Sequence, residues 1–189
     1  MKDVLSAQRD RFSTRKFKKE ALTQFEVETL ELACLNAPTA MNKQELKFSF
    51  ITDPEIIGDM DKMFCEILSR NPEEYQAFRT RMEERGAENI FYAAPLVIVI
   101  RGENTQYSAV NGGIAVQNLA LAAEALDLGS CIIGMARSIF NAQDELNFRE
   151  QLNFAKDEIF HVAIAIGYKD MEKEPHEYSR ENIEYFPAE

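Results

Sequence analysis

Positive charge is scarce in this sequence: 21 Lys and Arg face 32 Asp and Glu, for a formal net charge of -11. Such a field repels polyanions, which excludes nucleic acid and an anionic membrane as partners, although a few local arginines can still hold a single phosphate. Cysteine is equally sparse. Cys34, Cys65 and Cys131 are odd in number and share no CxxC or zinc-like spacing, so neither a disulfide framework nor a zinc site is expected. They suit a reducing compartment, as small buried apolar residues. No apolar run approaches the length of a membrane span, and Met1 to Ser6 lack the apolar core of a signal peptide. The expectation is a soluble, cytoplasmic protein. Internal periods, low-complexity tracts and Gly/Ser linkers are also missing, leaving one domain over residues 1–189. No His, Asp and Glu stand at metal-ligand spacing, and no Ser/His/Asp set stands out. Asn111-Gly112-Gly113-Ile114-Ala115 lacks the GxGxxG spacing of a Rossmann dinucleotide site.

What is present is apolar patterning, with hydrophobic residues making up 46% of the chain. A short helix is expected from Val4 to Arg9, then an irregular stretch to Phe17. Thr23 reads as the N-cap of a helix carrying Phe25, Val27, Leu30 and Cys34 at helical spacing, ended by Pro38. Leu46 to Thr52 alternates as a strand. Acidic, Met-rich helices fill Pro54 to Glu88, broken near Asn71-Pro72. Pro95 to Ile100 is a β-branched run suited to a strand buried on both faces. A helix opened by Asn111-Gly112-Gly113 and running to about Leu126 is apolar all round, which calls for burial on most sides or a subunit interface. Cys131 to Ile133 reads as a short strand, Phe140 to Gln151 as a helix, and Ile159 to Ile166 as a strand closed by Gly167. The polar tail, from about residue 170, reads as an arm. Helices and strands without strict βαβ alternation give the class α+β.

Three segments carry chemistry. Arg11-Phe12-Ser13-Thr14-Arg15 puts two guanidinium forks and a hydroxyl within five residues, a donor set that suits phosphate. Taken alone, it reads first as a solvated basic turn, since charge clusters usually face water. Ala37-Pro38-Thr39-Ala40-Met41-Asn42-Lys43-Gln44 offers a hydroxyl and two primary amides, which match the alternating donors and acceptors of a heterocycle's edge. Without further context a capped helix end with a turn is the favoured reading. Leu128-Gly129-Ser130 to Gly134 is a strand whose closing glycine exposes backbone N–H groups to a flat ligand, or else an ordinary core strand. His161 alternates with apolar residues and reads as structural. Met60, Met63, Phe64, Tyr75, Phe78 and Met82 read as core, with a substrate lid as the alternative.

Taken in order and spacing, the three segments resemble the nitroreductase family. Arg11, Ser13 and Arg15 match its R-x-S-x-R motif. Pro38, Thr39, Ala40, Asn42 and Gln44 match its P-[ST]-[AS]-x-N-x-Q loop, and Leu126 to Gly134 its L-G-L-G-[ST]-x-x-x-G stretch. The resemblance implies a mixed central sheet flanked by helices, in an intertwined homodimer with exchanged C-terminal arms. It implies FMN at the subunit interface, reduced by NADH or NADPH and reoxidised by a small acceptor such as a nitroaromatic or quinone, with no catalytic side chain. Arg11 and Ser13 would hold the FMN phosphate, and Phe12 would offer its backbone in place of a second basic residue. Arg15 would face flavin N1 and O2. Pro38, Thr39, Ala40 and Asn42 would cover the flavin from the partner subunit, and Ile132, Ile133 and Gly134 would lie beside N5 and O4. His176 or Arg180 would supply the family's C-terminal phosphate cation. Two departures stand out. Gln44 is followed by Glu45-Leu46 where the family often has Pro-Trp, and the chain has no tryptophan at all. Dehalogenase and azoline-oxidase relatives share this fold, and a flavin sensor or storage protein without turnover is the alternative outside catalysis.

Overall fold

The structure is a computed structural model, and it describes residues 1–173 and 177–186. Its centre is a four-stranded sheet of β1 (Lys47–Ile51), β2 (Leu96–Glu103), β3 (Leu128–Ile133) and β4 (Glu158–Tyr168), in the order β1-β2-β4-β3. All three ladders are antiparallel. This corrects the expectation of a mixed sheet: parallel pairing among the described residues is confined to one bridge, Ser13 to Ser130.

The β-branched run of β2 explains its central place. Val97, Ile98, Val99 and Ile100 are all fully buried, and alternate residues feed two separate cores. Val97 and Val99 join Met60, Phe64 and Phe91 on one face, beneath α3 (Pro54–Ser69) and α4 (Pro72–Glu84). Leu96, Ile98 and Ile100 join Leu30, Leu119 and Ile164 on the other, beneath α2 (Gln24–Leu35) and α5 (Ser108–Ala125). Each such side chain contributes roughly 1.5–3 kcal/mol of apolar burial. The short α1 (Val4–Asp10) packs along α5.

Helix starts follow their caps. Thr23 and Glu26 form a reciprocal capping box at α2. Asp53 and Asn71 accept N-terminal N–H groups of α3 and α4, each followed by Pro at the first turn. Elsewhere the boundaries move. Helix α5 starts at Ser108, so Asn111-Gly112-Gly113 lies within it instead of opening it. Gly112 is there for space: a Cβ would sit 2.8 Å from His161 Cβ. Strand β3 begins at Leu128, three residues before the expected Cys131. Its Gly129 lies under Thr14, whose Oγ1 would be 2.5 Å from an added Cβ.

The helix expected over Phe140 to Gln151 does not form. A 3-10 helix, Met135–Phe140, gives way to turns in which the Asn141, Asp144 and Asn147 side chains accept from the backbone N–H of Gln143, Leu146 and Arg149. Those local bonds compete directly with a helical ladder. Phe148 and Leu152 still reach the core. Arg149 pins the segment by donating to the Glu158 and Ala155 carbonyls at 2.9 and 2.8 Å. No helix among the described residues is long and apolar enough to cross a membrane.

Candidate functional site

After α1 the chain runs as an extended segment along the outer edge of β3 to the end of β4. Thr14 N–H donates to Ser130 carbonyl at 2.9 Å, and Phe17 bridges Lys169 beyond β4. This course brings Arg11, Phe12, Ser13 and Arg15 against β3, the strand that ends in Ile132, Ile133 and Gly134. Two of the three sequence segments therefore meet. Beyond the Ser13–Ser130 bridge, no described strand pairs with the outer edge of β3. Ile132 is 40% exposed, Ile133 is buried, and a Cβ at Gly134 would meet nothing within 4 Å.

The electrostatics of this edge are unusual for an acidic chain. Burial pushes the Cys131 thiol above its ordinary value, while Arg15, Arg85 and Arg11 all pull it back. Three guanidiniums thus lie near enough to β3 for their charge to act on Cys131. Among the described residues none of the three pairs with a carboxylate, and Arg15 Nε is buried with no partner. Sequence reasoning missed Arg85, which caps α4 immediately before the left-handed Gly86. The helix stop was a signal for Gly86, but nothing local revealed which way its neighbour faced.

Beside Arg15 lies a 390 Å³ cavity lined also by Lys16, Lys18, Lys19, Tyr92 and the carboxylates Glu88 and Asp170. Arg85 donates to Tyr92 Oη at 3.4 Å. Tyr92 and Ala93 both adopt the left-handed region, with φ of 58° and 53°, which costs of order 1–3 kcal/mol for each non-glycine residue. Asn89 Oδ1 holds that turn by accepting from Phe91 and Ala93 N–H at 2.9 and 3.1 Å. Phe12, expected to stand where the family carries a base, lies 5.5 Å below Lys169 Nζ. Lys169 is not free for a phosphate, because buried Glu124 accepts from it at 2.7 Å and from Lys2 at 2.6 Å.

The third segment stays apart. Pro38 and Asn42 are exposed, and Thr39 and Ala40 half-buried, in a loop held at the start of α5, where Ala40 N–H donates to Asn111 Oδ1. Phe12 is anchored through Lys169 at Glu124, near the other end of that helix. At about 1.5 Å per residue the two anchors stand roughly 20 Å apart. Met41, Asn42 and Gln44 all have positive φ, of 56°, 52° and 51°. Arg180 sits exposed in a 3-10 helix, Arg180–Asn182, and His176 lies outside the described residues.

A family model described as Nitroreductase family matches residues 9–168. The chain belongs to the nitroreductase family. A Desulfitobacterium hafniense nitroreductase with bound FMN superposes at a TM-score of 0.86 and 27% identity, covering 99% of this chain and all of that one. A nitroreductase from Desulfovibrio desulfuricans, described as putative and solved in complex with FMN, gives 0.67 and 25%, covering 99% of each. A Bacteroides fragilis nitroreductase with bound FMN shares the fold at 0.85 but only 16% identity, over 99% of this chain and all of that one. No curated protein matches.

The residues of the nitroreductase-like site fit a flavin mononucleotide chemically. Unpaired guanidiniums suit a phosphate and a ring that becomes anionic on reduction, and the open β3 edge offers backbone to a flat face.

Proposed function

We propose that this chain is an FMN-dependent oxidoreductase that passes electrons from NADH or NADPH to a small oxidised acceptor such as a nitroaromatic or quinone. The observation that carries the reading is the buried, unpartnered Arg15 Nε on the segment that Ser13 and Thr14 pin to β3, with Arg11 in the same segment and without a carboxylate partner among the described residues, within a nitroreductase fold. Bound flavin supplies the two-electron chemistry. The chain's own residues position and tune it. Arg11 and Ser13 hold the phosphate. Arg15, with Arg85 adding to the same field, places fixed positive charge where the reduced ring gathers negative charge. The backbone of Ile132, Ile133 and Gly134 borders the reacting face. No side chain acts as acid or base, so the site has no catalytic residue in that sense.

The functional unit in this reading is a homodimer. The outward face of α5 exposes Val110 by 59% and Ile114 by 37%, and α2 exposes Phe25, Leu32 and Leu35. The arm carries Ile183, Tyr185 and Phe186 at 58, 84 and 88% exposure, apolar side chains that an exchanged arm would bury on a second copy. The roughly 20 Å along α5 between Asn111, which holds the Ala40 loop, and Glu124, which holds Lys169 over Phe12, supports a site completed by the partner's Pro38–Asn42 segment.

Denaturing the purified protein and chromatographing the released flavin tests the cofactor: FMN is expected, and FAD or none after reconstitution would end the reading. Steady NADH oxidation with a quinone then separates an enzyme from a flavin sensor, which would be reduced once and stop.

A further inference from the structure

Where the family often carries Pro-Trp, this chain carries Glu45-Leu46, and the structure gives Glu45 a partner. Asn111, from the first turn of α5, is 2% exposed, and its carboxamide faces both ends of one loop. Ala40 N–H donates to Asn111 Oδ1 at 3.2 Å, and Asn111 Nδ2 donates to Glu45 Oε1 at 2.6 Å. Chemistry fixes the amide's orientation, because an N–H must meet its oxygen and a carboxylate its nitrogen. Between the two contacts the chain turns through the left-handed residues Met41, Asn42 and Gln44. Such conformations persist only where the surroundings over-determine them. Within the loop, Gln44 N–H donates to Thr39 Oγ1 at 2.9 Å, and Gln44 Nε2 to Asn42 Oδ1 at 3.1 Å. These bonds close the turn on itself, but only Asn111 ties it to the helix.

The position is also packed from beneath. His161 fills the space left by Gly112 of α5 and Gly102 of β2, where an added Cβ would lie 2.8 Å from His161 Cβ and 3.1 Å from His161 Nε2. Gly102's missing Cβ would equally stand 3.1 Å from the Glu45 carbonyl. A glycine inside α5 costs about 1 kcal/mol against alanine, so close approach of sheet, helix and loop is favoured here over local helix strength.

We propose that Asn111 is a positioning residue for the cofactor site: its carboxamide clamps the Ala40–Glu45 loop in the strained form that presents Thr39, Ala40 and Asn42 to the flavin of the partner subunit. This rests on the FMN reading, and the test separates the two. Asn111→Asp keeps an acceptor for Ala40 but sets a second carboxylate against Glu45. Adding Glu45→Gln restores the complement with donor and acceptor exchanged, at unchanged shape.

Two quantities are read on the purified protein: amide hydrogen exchange in a peptide covering residues 39–45, and FMN affinity. N111D is expected to speed loop exchange about tenfold, equivalent to losing one hydrogen bond to a buried group. FMN affinity should weaken in parallel, and N111D/E45Q should return both towards the parent values. Glu45→Ala, at a half-exposed position, is the second probe should N111D fail to fold. It removes the carboxamide's anchor and should also speed exchange at Ala40. Unchanged loop exchange in both single variants, no recovery in the double variant, or loop exchange that moves while FMN affinity does not, would overturn the clamp. If the parent protein binds no FMN, the cofactor reading fails by itself, and loop exchange alone then decides the clamp.

Discussion

Two groups of arginines in this chain have opposite surroundings. Arg101 and Arg149 are each 8% exposed and almost saturated. Arg101 donates to Glu158 Oε2 at 3.1 Å and to Ser49, Arg149 donates to two carbonyls, and both cations stand about 5 Å from the Phe154 ring, at 5.0 and 5.1 Å. Arg11, Arg15 and Arg85 have no carboxylate among the described residues, in a chain with 11 more acids than bases. A saturated cation has spent its hydrogen bonds on the fold. Unsaturated cations beside an edge strand retain them for a ligand, which is what an anion site requires.

The largest effect should come from breaking the saturated group. Glu158 is 4% exposed and accepts from Arg101, from Ala155 N–H at 2.9 Å and from Lys47 at 2.6 Å. Glu158→Ala strands a buried guanidinium, at a cost of about 3–5 kcal/mol. Chemical denaturation should show that loss whether or not flavin is present. A loss under 1 kcal/mol would mean that Arg101 finds water instead, and the contrast between the groups would dissolve.

Acid probes the same contact. Burial pushes the Glu158 carboxyl up, but Lys47, the Ala155 amide and Arg101 together bring it below its ordinary 4.5. A depressed carboxyl stabilises the fold above its unfolded pKa, and that contribution is lost as pH falls through the folded value. His161 acts earlier. Burial holds it below 6.5, Glu45 opposing and Arg137 assisting, so the unfolded chain takes up the proton first and stability declines as pH drops below about 6.5. Thermal midpoints should therefore fall in two stages on acidification. Glu158→Ala should remove the lower stage and leave the upper one, and a variant that keeps both would show that other carboxylates govern it.

The unsaturated group should respond in the opposite sense. Arg11→Ala should leave the flavin-free protein's stability within about 0.5 kcal/mol, as expected for a surface change that breaks no buried contact. FMN affinity should drop about ten- to a hundredfold, the loss of one charge-assisted contact of roughly 1.5–3 kcal/mol. It should drop equally in both redox states, because the phosphate charge does not change on reduction. A variant that unfolds without losing flavin would put Arg11 in the structural class with Arg101.

How legible each group was in the sequence follows from range. Thr23 with Glu26 and Asn71 with Glu74 are contacts within one turn, so the cap of α2 and the break before α4 could be read directly. The β-branched run of β2 announced burial on both faces. Arg101 and Glu158 are 57 residues apart, and nothing in either neighbourhood pointed to the other. The same long-range packing misled the reading at Phe140 to Gln151, where apolar spacing suited a helix but Asn and Asp side chains captured the backbone. It also placed the start of α5 too late, since Gly112 looks like a helix break until His161 is packed against it. Motif residues Arg11, Ser13 and Arg15 were visible because they are close in sequence. Arg85 was not, as only the packing of α4 brings it to Cys131.

The smallest effect should be the most specific. Arg11 and Arg15 both lack a carboxylate partner, yet the proposed site gives them different work, so their removal should fail differently. If Arg15 faces the flavin edge where negative charge gathers on reduction, as proposed, a neutral Arg15→Ala should penalise the reduced ring more than the oxidised one. The midpoint potential of bound flavin should fall by tens of millivolts, about 30 mV for each roughly 1.4 kcal/mol of differential stabilisation in a two-electron couple. Arg15→Lys should recover part of the shift, since it keeps the charge while losing the planar fork. Arg85→Ala should move the potential in the same direction but less, because Arg85 is exposed and its charge is better screened by water. Spectroelectrochemical titration of the three variants beside Arg11→Ala makes the measurement. If Arg11→Ala shifts the potential as far as Arg15→Ala does, the two guanidiniums act as one undivided positive field, and the separate role of Arg15 is wrong.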